Sequence, residues 1–187
     1  RYQLFYPEKR PFFQEGNENF KIGSTGTSPI DPMGSLVHTR NIVNPLAGTK
    51  LSGRIGSKNY ISLLYAADRI PEADSGQYGS YSHFPVLRYK RSLRDDSYLG
   101  VLATSVLNSG SINYVGGADG NLRLNKSTML EFHSLFSQNR DKIEERNDAG
   151  YALSVNILSD QRKITSAIAI KGISENFISR TGYIDRT

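Results

Sequence analysis

The sequence has no cysteine and no tryptophan, and only two methionines and three histidines among 187 residues. Without cysteine there is no disulfide, no thiolate metal ligand and no cysteine nucleophile. His38, His83 and His133 are far apart and lack the close spacing of zinc motifs, so no metal site is expected. No run approaches the roughly 18 consecutive apolar residues that a spanning helix needs. Charge of one sign is not in large excess: 23 basic against 18 acidic residues leave a formal +5. The basic residues are scattered, whereas a nucleic-acid surface prefers a clustered stripe with aromatics between, so nucleic acid is not expected as a partner. No Gly-x-Ser-x-Gly elbow occurs. Gly48 to Arg54 (GTKLSGR) lacks the Lys-Ser/Thr ending of a phosphate loop. No cofactor is expected.

What remains is 37% hydrophobic and 22% charged, with 11 tyrosines and 17 glycines. That is too polar for a helical membrane protein and too apolar for a disordered chain. From about Ser35 onward, short β-rich runs recur between turn signals. SLVHTRNI, LAGTKLSGRIG, NYISLLYAADRI, FPVLRYKRSL, SYLGVLATSVLN, YVGGADGNLRLN, STMLEFHSLFSQ, YALSVNILS and KITSAIAIKGI make about nine strands. Turns are expected at Asn44-Pro45, at Arg94 to Asp96, at Asn108 to Gly110, at Asn125-Lys126 and at Asp160-Gln161. PEADSGQYGSYSH reads as a surface loop, and RDKIEERNDAG as a charged loop with at most one helical turn, because Asn147, Asp148 and Gly150 stop a helix. Short connections imply an antiparallel up-and-down meander in an all-β protein.

The strands alternate. Arg88, Lys90 and Ser92 fall opposite Leu87, Tyr89 and Leu93, with Arg91 an exception near the turn. Asp119, Asn121 and Arg123 oppose Ala118, Gly120, Leu122 and Leu124. Tyr151, Leu153, Val155 and Ile157 oppose Ala152, Ser154 and Asn156, and Ile164, Ile168 and Ile170 oppose Lys163, Thr165 and Lys171. Period-two alternation puts successive side chains on opposite sides of a sheet. A membrane strand tolerates such a polar face because it lines a lumen. Alternation alone fits both a soluble β-sandwich and an up-and-down barrel.

Residues 1–34 differ. Pro7, Pro11, Pro29 and several glycines argue against a helix there and for an ordered linker or plug-like segment. Within it, Glu8, Lys9, Arg10 and Glu15 sit among four aromatics.

The run Leu4 to Gly16 (LFYPEKRPFFQEG) resembles a segment of a bacterial family of unknown function. Its members join a family-nine-like carbohydrate-binding module to a C-terminal outer-membrane-type β-barrel. The matching positions here are Tyr6, which replaces the usual Phe, then Pro7, Glu8, Lys9, Arg10, Pro11, Phe12, Phe13, Glu15 and Gly16. Pro45 to Gly53, Val86 to Leu93 and Phe177 to Tyr183 are similar, in order, to further stretches of that barrel. The resemblance implies a linker or plug at 1–34 and barrel strands over 35–187. It also implies an outer-membrane location in a Gram-negative bacterium, with membrane lipid as the partner. Glycan would be reached through the carbohydrate-binding module, which this chain does not contain. The ending IDRT lacks the terminal aromatic of an outer-membrane barrel's last strand, so a front portion of the barrel is expected.

Arg88, Lys90, Asp119, Asn121, Arg123, Glu131 and Lys171 are the candidate lumen residues, and the charges of the Leu4 to Gly16 run are expected to pair with such groups as Arg88, Asp119 or Arg123. A structural and passage or docking role without catalysis is the leading expectation. Two others stand beside it. A soluble carbohydrate-binding sandwich would stack sugars on Tyr78, Tyr81 and His83. A glycan hydrolase would need two carboxylates across a sugar, with Glu8 and Glu15 or Asp119 and Glu131 as the pairs; Glu144 and Glu145 fit a solvated loop better.

Overall fold

The computed structural model describes residues 8–23, 36–70, 81–94 and 96–182. These residues form one antiparallel sheet of eight strands in chain order. The strands are β1 (Pro45–Ile55), β2 (Asn59–Arg69), β3 (Tyr81–Ser92), β4 (Tyr98–Leu107), β5 (Ser111–Asn125), β6 (Thr128–Asp141), β7 (Arg146–Gln161) and β8 (Ile164–Ile173). The fold is therefore an all-β up-and-down meander. Among the described residues there is no second sheet, so the stacked pair of a β-sandwich is not formed. Nor is the sheet closed: β1 pairs with β2 and β8 with β7, leaving two open edges among the described residues.

Local chemistry sets the turns. Gly56 takes a left-handed conformation, φ 67°, between β1 and β2, where a side chain would be strained. The Asn108 side chain accepts hydrogen bonds from the N–H groups of Gly110 and Ser111, and Asn125 accepts one from Ser127. Asp141 accepts two from Ile143 and Glu144. Each mimics a backbone turn with a short polar side chain.

Three expectations change. The strand expected near 35–42 is absent: residues 36–44 are irregular around one 3-10 turn, Thr39–Asn41. The Arg10 guanidinium takes the carbonyls of Thr39 and Ile42, and Leu36 and Ile42 are buried, so backbone groups that a ladder would use are spent on a side chain. Among the described residues there are thus eight strands, not nine. Second, β7 begins at Arg146 and not at Tyr151, so the charged loop shrinks to residues 142–145, with Glu144 and Glu145 exposed. Arg146 pairs with Asp148 at 2.6 Å, and this charged stretch extends the ladder along β6 at its exposed end. Likewise β7 runs through Asp160 and Gln161, and the last turn falls at 162–163. Third, the N-terminal segment holds an α-helical turn, α1 (Pro11–Gln14), beginning at a proline, and then a 3-10 turn, Asn17–Phe20. Proline at the first helical position loses an N–H that had no partner there anyway.

The register carries side chains in rows across seven or all eight strands. One row facing inward reads Arg54, Tyr60, Lys90, Gly100, Asp119, His133, Ser154, Lys171. A neighbouring outward row reads Leu51, Leu63, Leu87, Ala103, Gly116, Phe136, Tyr151. The core lies on the inner face alone. There Leu64, Ala66, Phe84, Val86, Leu102, Val115, Leu135 and Ala152 meet Phe13, Phe20, Ile22, Leu36, Ile42 and Phe177 from outside the sheet.

Candidate functional site

Among the described residues, three stretches of main chain cover the inner face: 8–23, 36–44 and 174–182. The first begins beside the edge of β1. Phe12 packs on Gly48 and its carbonyl, with that of Glu15, accepts from Lys50 Nζ. It then reaches the middle of the sheet, where the Gly23 N–H donates to Asp119 Oδ2 at 3.1 Å and Arg88 Nη2 reaches the Lys21 carbonyl at 3.3 Å.

Arg88 and Asp119 form a bidentate ion pair, with Arg88 Nη1 on Oδ1 and Nη2 on Oδ2, and both are almost fully buried at 0% and 1% exposure. Tyr98 adds a hydrogen bond to Asp119 at 3.1 Å. The pair sits diagonally over Gly100, where a Cβ would come within 2.8 Å of Arg88 Nη1 and 2.9 Å of Asp119 Oδ1. A glycine in mid-strand is the space the pair occupies. Breaking such a pair leaves a buried charge and costs ~3–5 kcal/mol.

Sequence-predicted site residues divide as follows. Tyr6 and Pro7 lie outside the described residues. Arg88, Asp119, Asn121 and Glu131 are buried on the inner face, Lys90 and Arg123 are half-buried there, and Lys171 is exposed on the same face of the edge strand. Among the described residues the linker charges Glu8 and Arg10 do not pair with Arg88 or Asp119. Glu8 instead holds Arg10 at 2.8 Å and accepts from Thr39 Oγ1 at 2.7 Å, and the segment docks on Arg88 and Asp119 through its own backbone. The reason is geometric: Glu8 and Arg10 stand at the strand ends, a whole segment away from the centre of the sheet. The Arg10 hydrogen bonds hold the Glu8 carboxyl at about 2, against an ordinary 4.5, despite the opposing cost of burial.

Both Asp119 oxygens are taken by hydrogen bonds from Arg88, Tyr98 and the Gly23 N–H. Tyr78 lies outside the described residues. Tyr81 and His83 face outward, and His83 is hydrogen-bonded to Tyr65 at 2.7 Å. No three His, Asp or Glu side chains gather into a metal-binding group among the described residues.

The third inner stretch carries residues whose role the sequence pattern does not reveal. Phe177 is fully buried against Gly150, where a Cβ would lie 2.3 Å from the Phe177 nitrogen. Asn113 donates to the Ile178 carbonyl and accepts from the Arg180 N–H. Arg180 reaches Ser111 and lies 3.5 Å from Asp141. At the same end the Thr181 carbonyl accepts from the His38 N–H, joining this stretch to residues 36–44. The available signal was the polar inner row Ser111, Asn113, Ser137, Asp141, too hydrophilic for a core that nothing polar covers.

The outer face is the reverse. Leu51, Leu63, Leu87, Val101, Leu153, Val155, Ile168 and Ile170 are exposed on it. Its charged residues are Arg69, Arg91 and Arg140, all at or next to strand ends. Tyr65, Tyr81, Tyr114, Phe136 and Tyr151 stand toward one end of the strands and Tyr89 toward the other. Between Tyr65 and Tyr114 an apolar hollow of about 680 Å3 has Ala103, Ser105 and Gly116 in its lining.

Searches with this chain find no matching family model, no matching curated protein and no matching solved structure.

Proposed function

We propose that the sheet is one arc of an outer-membrane β-barrel of a Gram-negative bacterium, with its outer face in lipid and its inner face toward a lumen plugged by residues 8–23. One observation carries this reading: the exposed face is apolar along eight strands, with its charged residues Arg69, Arg91 and Arg140 at or next to strand ends, while the mid-strand charges lie on the inner face. A soluble protein rarely exposes an apolar patch of more than a few hundred Å2, whereas a barrel wall requires an apolar band about 25 Å tall with aromatic girdles. From Asn59 to Arg69 on β2 there are ten residue steps, roughly 33 Å along the strand and ~25 Å once tilted by ~40°. The outward aromatics toward both ends are where girdles would lie, and the hollow between Tyr65 and Tyr114 suits an acyl chain.

The open edges support a barrel of more than eight strands. An eight-stranded barrel has an interior just wide enough for its own side chains. Here the inner face holds three main-chain stretches besides. On this reading β1 and β8 each take a further antiparallel strand, which also removes the unpaired edge groups that lipid does not tolerate. The chain then serves as wall and plug in passage or docking. A link to glycans rests on the resemblance of Leu4 to Gly16 alone.

The test is folding into membranes. The purified chain is expected to need detergent or vesicles for its sheet signal, and to migrate differently on a gel when unheated. A monodisperse, folded chain in plain buffer would overturn the reading.

A further inference from the structure

The inner face carries a second polar feature that the plug does not use. Toward the ends of β1–β4 where β1 turns into β2 and β3 into β4, a hollow of about 260 Å3 is lined by Arg54, Lys58, Lys90, Asn19, Tyr60 and Tyr98, among others. Arg54, Tyr60 and Lys90 are consecutive members of the inward row on β1, β2 and β3, and Lys58 sits in the β1–β2 turn. Asn19 comes from the plug segment.

Among the described residues no carboxylate lines this hollow. Among the described residues none of the three cations is in an ion pair. Lys90 is half-buried, with its ammonium 5.3 Å from the Tyr98 ring, and the carboxylate next along the row, Asp119, is taken by Arg88. Arg54 and Lys58 are exposed at its rim, and the charges acting on Lys90 are Arg88, Asp119 and the plug's Glu18, neither carboxylate being in the lining; an anion seated among the three cations would gain attraction from each. Arg and Lys lining the inner side of a pore are also the groups that select anions.

We propose that this hollow binds the oxyanion group of a small solute: a phosphate, a sulfate or a carboxylate. Its volume lies below the ~300–1,000 Å3 of drug-sized pockets, so it admits one charged head and not an oligosaccharide. The Lys90 ammonium, the Arg54 guanidinium and the Tyr60 hydroxyl supply donors from three adjacent strands, and the Asn19 amide adds one from the plug. Ligand and plug are thereby in contact. This deepens the reading above by naming a solute class, and it rests on that reading only for the meaning of passage; binding itself needs the sheet and the plug alone.

Calorimetric titration of the folded full chain at low ionic strength would use inorganic phosphate, sulfate, glucuronate and neutral glucose. At least one of the three anions is expected to bind, and which one binds identifies the source of the oxyanion; glucose should not bind. Lys90→Met should weaken that binding by about tenfold or more, as loss of a charge-assisted contact does. Lys90→Arg should restore most of it, and Lys142→Met, at the opposite strand ends, should leave it unchanged. The inference is overturned if no anion binds the parent chain, or if Lys142→Met weakens binding as much as Lys90→Met. Either failure would leave the membrane reading untouched, because heat-modified migration and vesicle dependence are read without any ligand.

Discussion

Leu87 is the residue at which the environment of the outer face is most simply read. It lies on β3 midway between His83 and Arg91, faces outward beside Leu63 and Ala103, and is 39% exposed. In water, replacing a surface residue of this kind by arginine stays within about ±0.5 kcal/mol, plus ~1 kcal/mol for the part of the leucine that is covered. At the middle of a bilayer the same change costs ~2–4 kcal/mol, and near the interface only ~0–1 kcal/mol. Leu87→Arg and Tyr81→Arg, the second at the strand end, therefore separate the two environments. The assay is urea unfolding of the chain reconstituted in vesicles, with the midpoint shift read at constant slope. Leu87→Arg should lose at least ~2 kcal/mol and Tyr81→Arg less than ~1 kcal/mol. Equal, small losses at both positions would refute the claim that the middle of this face meets lipid.

Further outcomes follow from the inner face. Arg88→Met should cost ~3–5 kcal/mol by stranding Asp119, while the double change Arg88→Met with Asp119→Leu should recover much of it; urea unfolding of the three variants measures both. Because Glu8 is held at about 2 against 4.5, its contribution is fully present above pH 4.5 and is lost as pH falls from there toward 2. With Arg10 about a third exposed and solvent screening allowed for, that contribution is ~1–2 kcal/mol. Hydrogen-exchange protection factors of residues 36–44, taken relative to the intrinsic rate at each pH, should fall over that window, and Glu8→Gln should leave them low at both ends of it. Gly150→Ala places a methyl 2.3 Å from the Phe177 nitrogen, so residues 174–182 should be displaced and become cleavable by protease. Gly53→Ala, with nothing within 4 Å, should not change the cleavage pattern.

The strands were readable because alternation is a local property: each of Arg88, Lys90, Asp119, Asn121 and Arg123 fell on the face that its sequence parity assigned. Turns written by Asn108, Gly110 and Asn125 were readable for the same reason. The contents of the inner face were not. Residues 36–44 carry β-prone side chains, and distant groups divert their backbone from a ladder: the Arg10 guanidinium on the Thr39 and Ile42 carbonyls, the Thr181 carbonyl on the His38 N–H, and the Asp68 carboxylate on the Val43 and Asn44 N–H groups. Residues 174–182 look like a connection until Asn113 and Gly150 on β5 and β7 are seen to receive them. The ion pair of Arg88 with Asp119 joins β3 to β5 across a glycine, a relation between three strands that no single segment encodes. The anion hollow likewise needs the register that sets Arg54, Tyr60 and Lys90 side by side.

The most direct measurement uses the absence of native cysteine. Single cysteines placed in turn from Tyr151 to Ile157 on β7 are labelled with a fluorophore, and the chain is reconstituted in vesicles containing nitroxide-bearing lipid tails. Positions 151, 153, 155 and 157 should be quenched and 152, 154 and 156 should not. Quenching that fails to alternate, or that is absent at the odd positions, contradicts a wall with one side in lipid.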